Sequence, residues 1–214
     1  VEDALLKQAA GAVERPDRPH YDIGHGLDSP DPLGMSVVMP AYIHGEEYFA
    51  TKLASLHEEN EARGLPTLHA QIVLSNARTG LPMSFMDGTR ITNARTACLG
   101  MLAARELASD PVTLGVLGAG AQARWQTRAI AAVRAVDEVR VFSPSDSRHA
   151  CAEDLSAEGI PASAVDAAAE AVEGANVVVT ATTASEPVFP ADALAPGALV
   201  VAVGAFNAEM QELE

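Results

Sequence analysis

The stretch that most constrains the fold is residues 112–123, where an apolar run ends in Gly118-Ala-Gly120-Ala-Gln-Ala123. Residues 124–136 then place alanines and an isoleucine on one helical face, so the order is strand, tight turn, helix. Gly118 permits the sharp turn, Gly120 lets main-chain N–H groups approach an anion, and Ala123 is small enough for close helix–strand packing. An anion there rests on the helix N-terminus, where unpaired N–H groups and the helix dipole favour negative charge. Alone, such a pattern also suits plain packing.

Its context supports the first reading. Residues 138–142, 175–182 and 198–203 are further short apolar strands, and residues 147–158 and the alanine-rich 164–171 read as helices. Strands and helices that alternate at this length build βαβ units and a parallel sheet covered on both faces. The expectation is a Rossmann-type nucleotide domain over residues 111–214.

Before the glycine turn the pattern changes. Residues 2–12 read as a helix, 14–32 as loop, and 35–39 as a strand ended by Pro40. Strands are expected at 51–56, 68–74 and 81–86, with a polar connection over 58–66 and a turn at 76–80. Asp87-Gly88 reads as a hairpin-type turn, and Thr92 as the N-cap of a helix that ends at Asp110-Pro111. The fold class is therefore α/β: a parallel-sheet domain preceded, over residues 1–110, by a smaller and mostly antiparallel α+β domain. The first residue is not Met and no closing element follows 207–214, so the chain reads as incomplete at both ends.

The net charge of −15 repels nucleic-acid backbones and anionic membranes, which leaves small molecules and like subunits as partners. Of 14 basic residues only Lys7 and Lys52 are lysines, against 29 acidic ones. That balance suits a high-salt interior, although an Ala- and Arg-rich genome gives a similar composition. No apolar run is long enough to span a bilayer, and no secretory signal is visible. Cys98 and Cys151 lack metal-ligand or disulfide spacing, as do the six histidines, so no metal site is expected and a reducing cytoplasm fits.

Chemistry has few candidate sites. The strand ending at Phe142 is not followed at once by the acidic residue that would bind a ribose 2′-hydroxyl; Ser143, Ser145 and Arg148 stand there instead. Hydroxyls and a guanidinium suit a 2′-phosphate, so NADP(H) is preferred, with NAD(H) as the alternative. Arg148 as a helix-surface charge is the plainer reading. Lys52 interrupts an alternating apolar strand, and Arg95 stands in the expected first helical turn, where a cation is unfavourable unless an anion is bound. Together they form a clamp for a substrate carboxylate, or else an exposed lysine and an ordinary ion pair. His69 is the one histidine expected in a strand.

The order of several short segments resembles the ornithine cyclodeaminase/mu-crystallin family. These are Val38-Met-Pro-Ala-Tyr42, Thr51-Lys-Leu53, Met86-Asp-Gly88, Ile91-Thr92 with Arg95-Thr-Ala97, Leu117 to Ala123, Val203-Gly-Ala205 and Glu212-Leu213. The resemblance implies a homodimer whose N-terminal domain binds substrate and pairs with its twin, joined to a dinucleotide-binding domain. By it, Lys52 and Arg95 match the family's carboxylate-binding pair, and Arg18 an upstream arginine that faces the same group. Gly118, Gly120, Ala121 and Gln122 match the pyrophosphate loop, while Thr180, Thr182, Val203 and Gly204 fall where the chain lines the nicotinamide. True cyclodeaminases carry an acidic residue where this chain has Phe206. An aromatic side chain cannot hold an ammonium by ion pairing or move its proton. Resemblance therefore shifts to the branch that reduces cyclic imines, with Phe206 over the apolar ring face of a small imino or amino acid. Cyclodeamination of ornithine, alanine-type dehydrogenation and a non-catalytic NADPH-binding, crystallin-like role are the alternatives.

Overall fold

The computed structural model describes residues 1–28, 30–205 and 209–214, without the side chain of Glu61. Its chain divides into two compact units, Val1–Thr92 and Asn93–Glu214. The boundary falls inside a helix, upstream of the Asp110-Pro111 break that marks it in the sequence.

The first unit opens with α1 (Glu2–Ala9) and carries six strands: β1 (Val13–Glu14), β2 (His20–Ile23), β3 (Gly34–Ile43), β4 (Tyr48–Leu56), β5 (Leu68–Asn76) and β6 (Pro82–Asp87). They form one sheet of order β1-β3-β4-β5-β6, with β2 also beside β3, and every pairing is antiparallel. Two expectations are corrected. Residues 14–32 contain a strand, because His20 to Ile23 pair with Val37 to Gly34 although their own sequence is polar and mostly exposed. Nor does Pro40 end its strand. Val38 N donates outward to Pro19 O and His44 N outward to Ala12 O, so the two-residue period turns the Pro40 nitrogen to the same side. That position lies between the ends of β2 and β1, where the missing N–H costs no ladder bond.

Helix α2 (Gly88–Leu107) starts four residues before the expected cap. Asp87-Gly88 is not a hairpin turn but the helix entrance: Asp87 Oδ1 accepts the Thr89 N–H at 2.8 Å, and Thr89 Oγ1 accepts Ala70 N–H at 3.1 Å. Gly88 is needed for close approach, since a Cβ there would stand 3.0 Å from the Ala70 carbonyl carbon. Thr92 therefore lies inside the helix, and Arg95 lies two turns in rather than in the first turn. Arg95 therefore does not stand against the positive end of the helix dipole.

The second unit contains β7 (Val112–Leu117), α3 (Ala121–Ala131), β8 (Val136–Phe142), α4 (Ser147–Ala157), β9 (Ala162–Ala164), α5 (Ala168–Val172), β10 (Val177–Thr180) and β11 (Leu199–Ala202). Its sheet runs β11-β10-β7-β8-β9 with all neighbours parallel, which is the Rossmann order reversing at β7 and β10. Val112, Leu114 and Val116 enter one core with Val177 and Val179, while Leu117 and Val178 enter a second cluster with Phe189. Alternation thus fills both faces, and β10 is buried throughout. Each such aliphatic side chain contributes about 1.5–3 kcal/mol of burial. Helix limits differ from the expectation: α3 runs from Ala121 to Ala131 because it begins directly on Gly120 and Val136 already opens β8, and α5 starts later because 162–164 pair with β8 as β9. Arg134 closes the end of α2 by donating to the carbonyls of Ala104, at 3.0 Å, and Arg105.

Candidate functional site

The carboxyl ends of β7 and β10 flank the point where strand order reverses, the place where open α/β sheets bind ligands. Gly118 follows β7 with φ +103°, and a Cβ there would strike the Ala181 carbonyl oxygen. Only glycine meets both demands. Its N–H donates to Phe142 O and Ala181 N–H to Leu117 O, both at 2.8 Å, which ties the ends of three strands together. Gly120 has open space where a Cβ would stand and offers no side chain to cap α3. Ala121, exposed, and Gln122 thus lead a helix start that is bare on its outer side. Gln122 turns instead to α2, where its Nε2 donates to Asn93 Oδ1 at 2.9 Å. Arg124 adds a charge at this loop: it donates to the Ala119 carbonyl and, at 2.7 Å, to Asp154 of α4.

At the end of β8 three hydroxyls gather. Ser145 Oγ lies 2.6 Å from Ser147 Oγ, and Ser143 Oγ lies 3.4 Å from each. Ser147 joins them because it lies one helical return from Ser143. Arg148 reaches the same turn, donating to the Ser143 and Ser145 carbonyls at 3.3 and 3.1 Å, while its other branch meets Asp166 at 3.1 Å. An acid does therefore approach this corner, but from the segment after β9, and it is 84% exposed.

Beyond β10 and β11 the expected residues share one partner that sequence reasoning passed over. Thr180 Oγ1 donates to Glu212 Oε2 at 2.9 Å, Gly204 N–H to the same oxygen at 2.8 Å, and Thr182 N–H and Oγ1 to Oε1 at 2.7 Å each. Val203 N–H meets Thr180 O at 2.9 Å. Glu212 was legible only as a fragment of the family resemblance, because nothing local marks an acid 30 residues downstream as the partner of a strand end.

In the first unit Lys52 is half-buried in the middle of the sheet, between Met39 and Ile72, and its Nζ donates to Thr92 Oγ1 at 3.2 Å. Arg95 stands one turn beyond Thr92 on α2 and is exposed. Arg18, between β1 and β2, is exposed, as is His69 on β5. Phe206 lies outside the described residues. Among the described residues no three His, Cys, Asp or Glu side chains are grouped to hold a metal ion, and no helix is long and apolar enough to cross a membrane. Burial pushes the Cys151 thiol up from its ordinary value, so this group stays protonated and inert.

Fold and site together define an α/β protein with a Rossmann-type unit and an antiparallel-sheet unit. More particularly, the chain belongs to the ornithine cyclodeaminase/mu-crystallin family, whose model it matches over residues 1–214. It is 33% identical over 181 residues to a Δ1-pyrroline-2-carboxylate reductase of Bacillus cereus, covering 83% of this chain and 55% of that protein. Among solved structures it is similar to the Thermococcus litoralis Δ1-pyrroline-2-carboxylate reductase in complex with NADH and L-proline. There the TM-score is 0.91 at 33% identity, over 100% of this chain and 65% of that one. An archaeal alanine dehydrogenase dimer with bound NAD gives a TM-score of 0.88 at 30% identity, over 100% of this chain and 63% of that one. The chain thus spans less than two thirds of the length of each of these relatives.

Proposed function

We propose that the protein is a nicotinamide-dependent reductase of a small cyclic imine carboxylate, Δ1-pyrroline-2-carboxylate or Δ1-piperideine-2-carboxylate, which it converts to the cyclic amino acid. The observation that carries this reading is the likeness, over the whole chain, to a reductase solved with NADH and L-proline. The turn after β7 fits such a cofactor, since Gly120 leaves open space beside the bare start of α3. When bound, the cofactor supplies the hydride. The Gly118–Gln122 turn would hold its pyrophosphate through main-chain N–H groups, and Val203 and Gly204 would stand at its nicotinamide end. Lys52 and Arg95, with Arg18, would bind the substrate carboxylate, and Phe206 would cover the ring. Orientation then accounts for most of the catalysis, because an iminium carbon is already electrophilic.

NADP(H) is the preferred cofactor in this reading. Ser143, Ser145 and Ser147 offer hydroxyls to a 2′-phosphate, and Arg148, whose guanidinium already lies at that turn, offers a matching charge. A homodimer is part of the same reading. The likeness to an alanine dehydrogenase supports a second activity, reductive amination of an open-chain 2-oxo acid. Both are tested by following NADPH and NADH absorbance with the two cyclic imines, with pyruvate plus ammonia, and with ornithine. Oxidation by an imine alone is expected. Turnover of pyruvate alone would replace the proposal by the second reading, and ammonia from ornithine would replace it by cyclodeamination. A particle of monomer mass in light scattering would remove the dimer.

A further inference from the structure

We propose that Glu212 is a positioning residue for the nicotinamide end of the cofactor site, fixing the segments that leave β10 and β11. The inference rests on the dinucleotide reading above. The residue is 3% exposed, and each carboxylate oxygen accepts two hydrogen bonds, from Thr180 Oγ1 and Gly204 N–H on one side and from Thr182 N–H and Oγ1 on the other. An ionised carboxylate only accepts, so four donors match it and its protonated form would not. Two of the four are main-chain N–H groups just past the last ladder pair, Thr180 with Ala202, where the two strands stop bonding to each other. Glu212 takes over from the ladder at that point.

The local backbone is built around this arrangement. Val188 N–H donates to the Glu212 carbonyl at 3.0 Å and Gln211 N–H to the Ala184 carbonyl at 2.9 Å, which holds the glutamate to the segment following β10. A Cβ at Gly204 would strike both the Thr182 carbonyl and the Glu212 carboxylate, so only glycine fits between them. A sheet of this order binds one half of a dinucleotide beyond β7 and β8 and the other beyond β10 and β11. The hydroxyls of Thr180 and Thr182 donate to Glu212. What reaches the nicotinamide from this side is the backbone that Glu212 holds in place.

Glu212→Gln tests the inference in the full chain. The amide presents N–H where two donors already point; a threonine hydroxyl can rotate to accept, but the main-chain N–H of Thr182 or Gly204 cannot. Two probes separate the halves of the site: 2′-phospho-ADP-ribose, which lacks nicotinamide, and NADPH, whose bound nicotinamide fluorescence reports its surroundings. The expected result is unchanged affinity for the first probe, nicotinamide emission shifted toward that of free NADPH, and kcat lowered by about a hundredfold, the scale of an ångström-sized misplacement. Equal weakening of both probes, or no change in emission and kcat, would overturn the role of Glu212 and leave the reductase reading standing. Wild-type protein that binds neither probe removes both. If Glu212→Gln does not fold, Thr180→Val deletes one donor at constant shape and must give the same split between probes, more weakly.

Discussion

The two sheets of this chain handle burial in opposite ways. In the parallel sheet β10 is buried at every position and β7 at all but Thr113. β4 is equally central in its own sheet, yet Ala54 is its one fully buried residue and Leu53 is 38% exposed. Crossover helices cover both faces of parallel strands, whereas hairpin connections leave a face of an antiparallel sheet without local cover. Strands of the first kind announce themselves as apolar runs; strands of the second kind are recognised mainly by their partners.

The two sheets should differ most in the cost of removing a strand leucine. Leu114→Ala should cost about 2–5 kcal/mol in the second unit, against less than about 1 kcal/mol for Leu53→Ala in the first, read by denaturant unfolding. A similar cost at both positions would mean that the β4 face is covered in solution. Next in size is Gly118→Ala, which combines a strained positive φ with a clash on the Ala181 carbonyl. Dinucleotide affinity should fall by at least about tenfold, for a strain near 1–2 kcal/mol, in a fluorescence titration. Unchanged affinity would place the cofactor elsewhere.

Arg95→Ala should raise KM for the imine and lower kcat, while Arg148→Ala should raise KM for NADPH by about tenfold and leave that for NADH unchanged, a difference near 1.4 kcal/mol. Equal KM changes for the two cofactors would remove the 2′-phosphate role. Pro40→Val in the antiparallel sheet should change stability by no more than about 0.5 kcal/mol, because no ladder bond waits for the restored N–H. The smallest effect concerns pH. Arg128 beside Glu158 holds that carboxyl below its ordinary range, by paired hydrogen bonds of 2.7 and 2.5 Å. A lowered folded-state value means that stabilisation is present above the unfolded-state value and is lost as pH falls through the folded one. Glu158→Gln should therefore lower thermal stability slightly at neutral pH and leave it unchanged at low pH, which flattens the acid limb. The pair is partly exposed, so molar salt should mask the effect.

Much of the candidate site was legible for a local reason. Gly118 and Gly120 needed only their neighbours to be read, since a turn between a buried strand and a helix imposes its own residue types. Ser143 and Arg148 follow by position from the end of the apolar strand at 138–142. Thr92 is not the cap its sequence suggests, because Asp87, with the sequence look of a hairpin, can cap a helix once Ala70 is alongside. For the same reason Arg95 lost its supposed place in the first turn.

The sequence by itself determined the parallel unit, its glycine turn and the family, because apolar runs, glycines and motif order act over a few neighbouring residues. Only tertiary structure decided that a polar segment becomes β2, that Pro40 continues its strand and that Asp166 meets Arg148. It alone placed Glu212 under the ends of β10 and β11. Each of these depends on hydrogen-bond partners distant in the chain, and an isolated segment carries no record of which groups folding will bring to it.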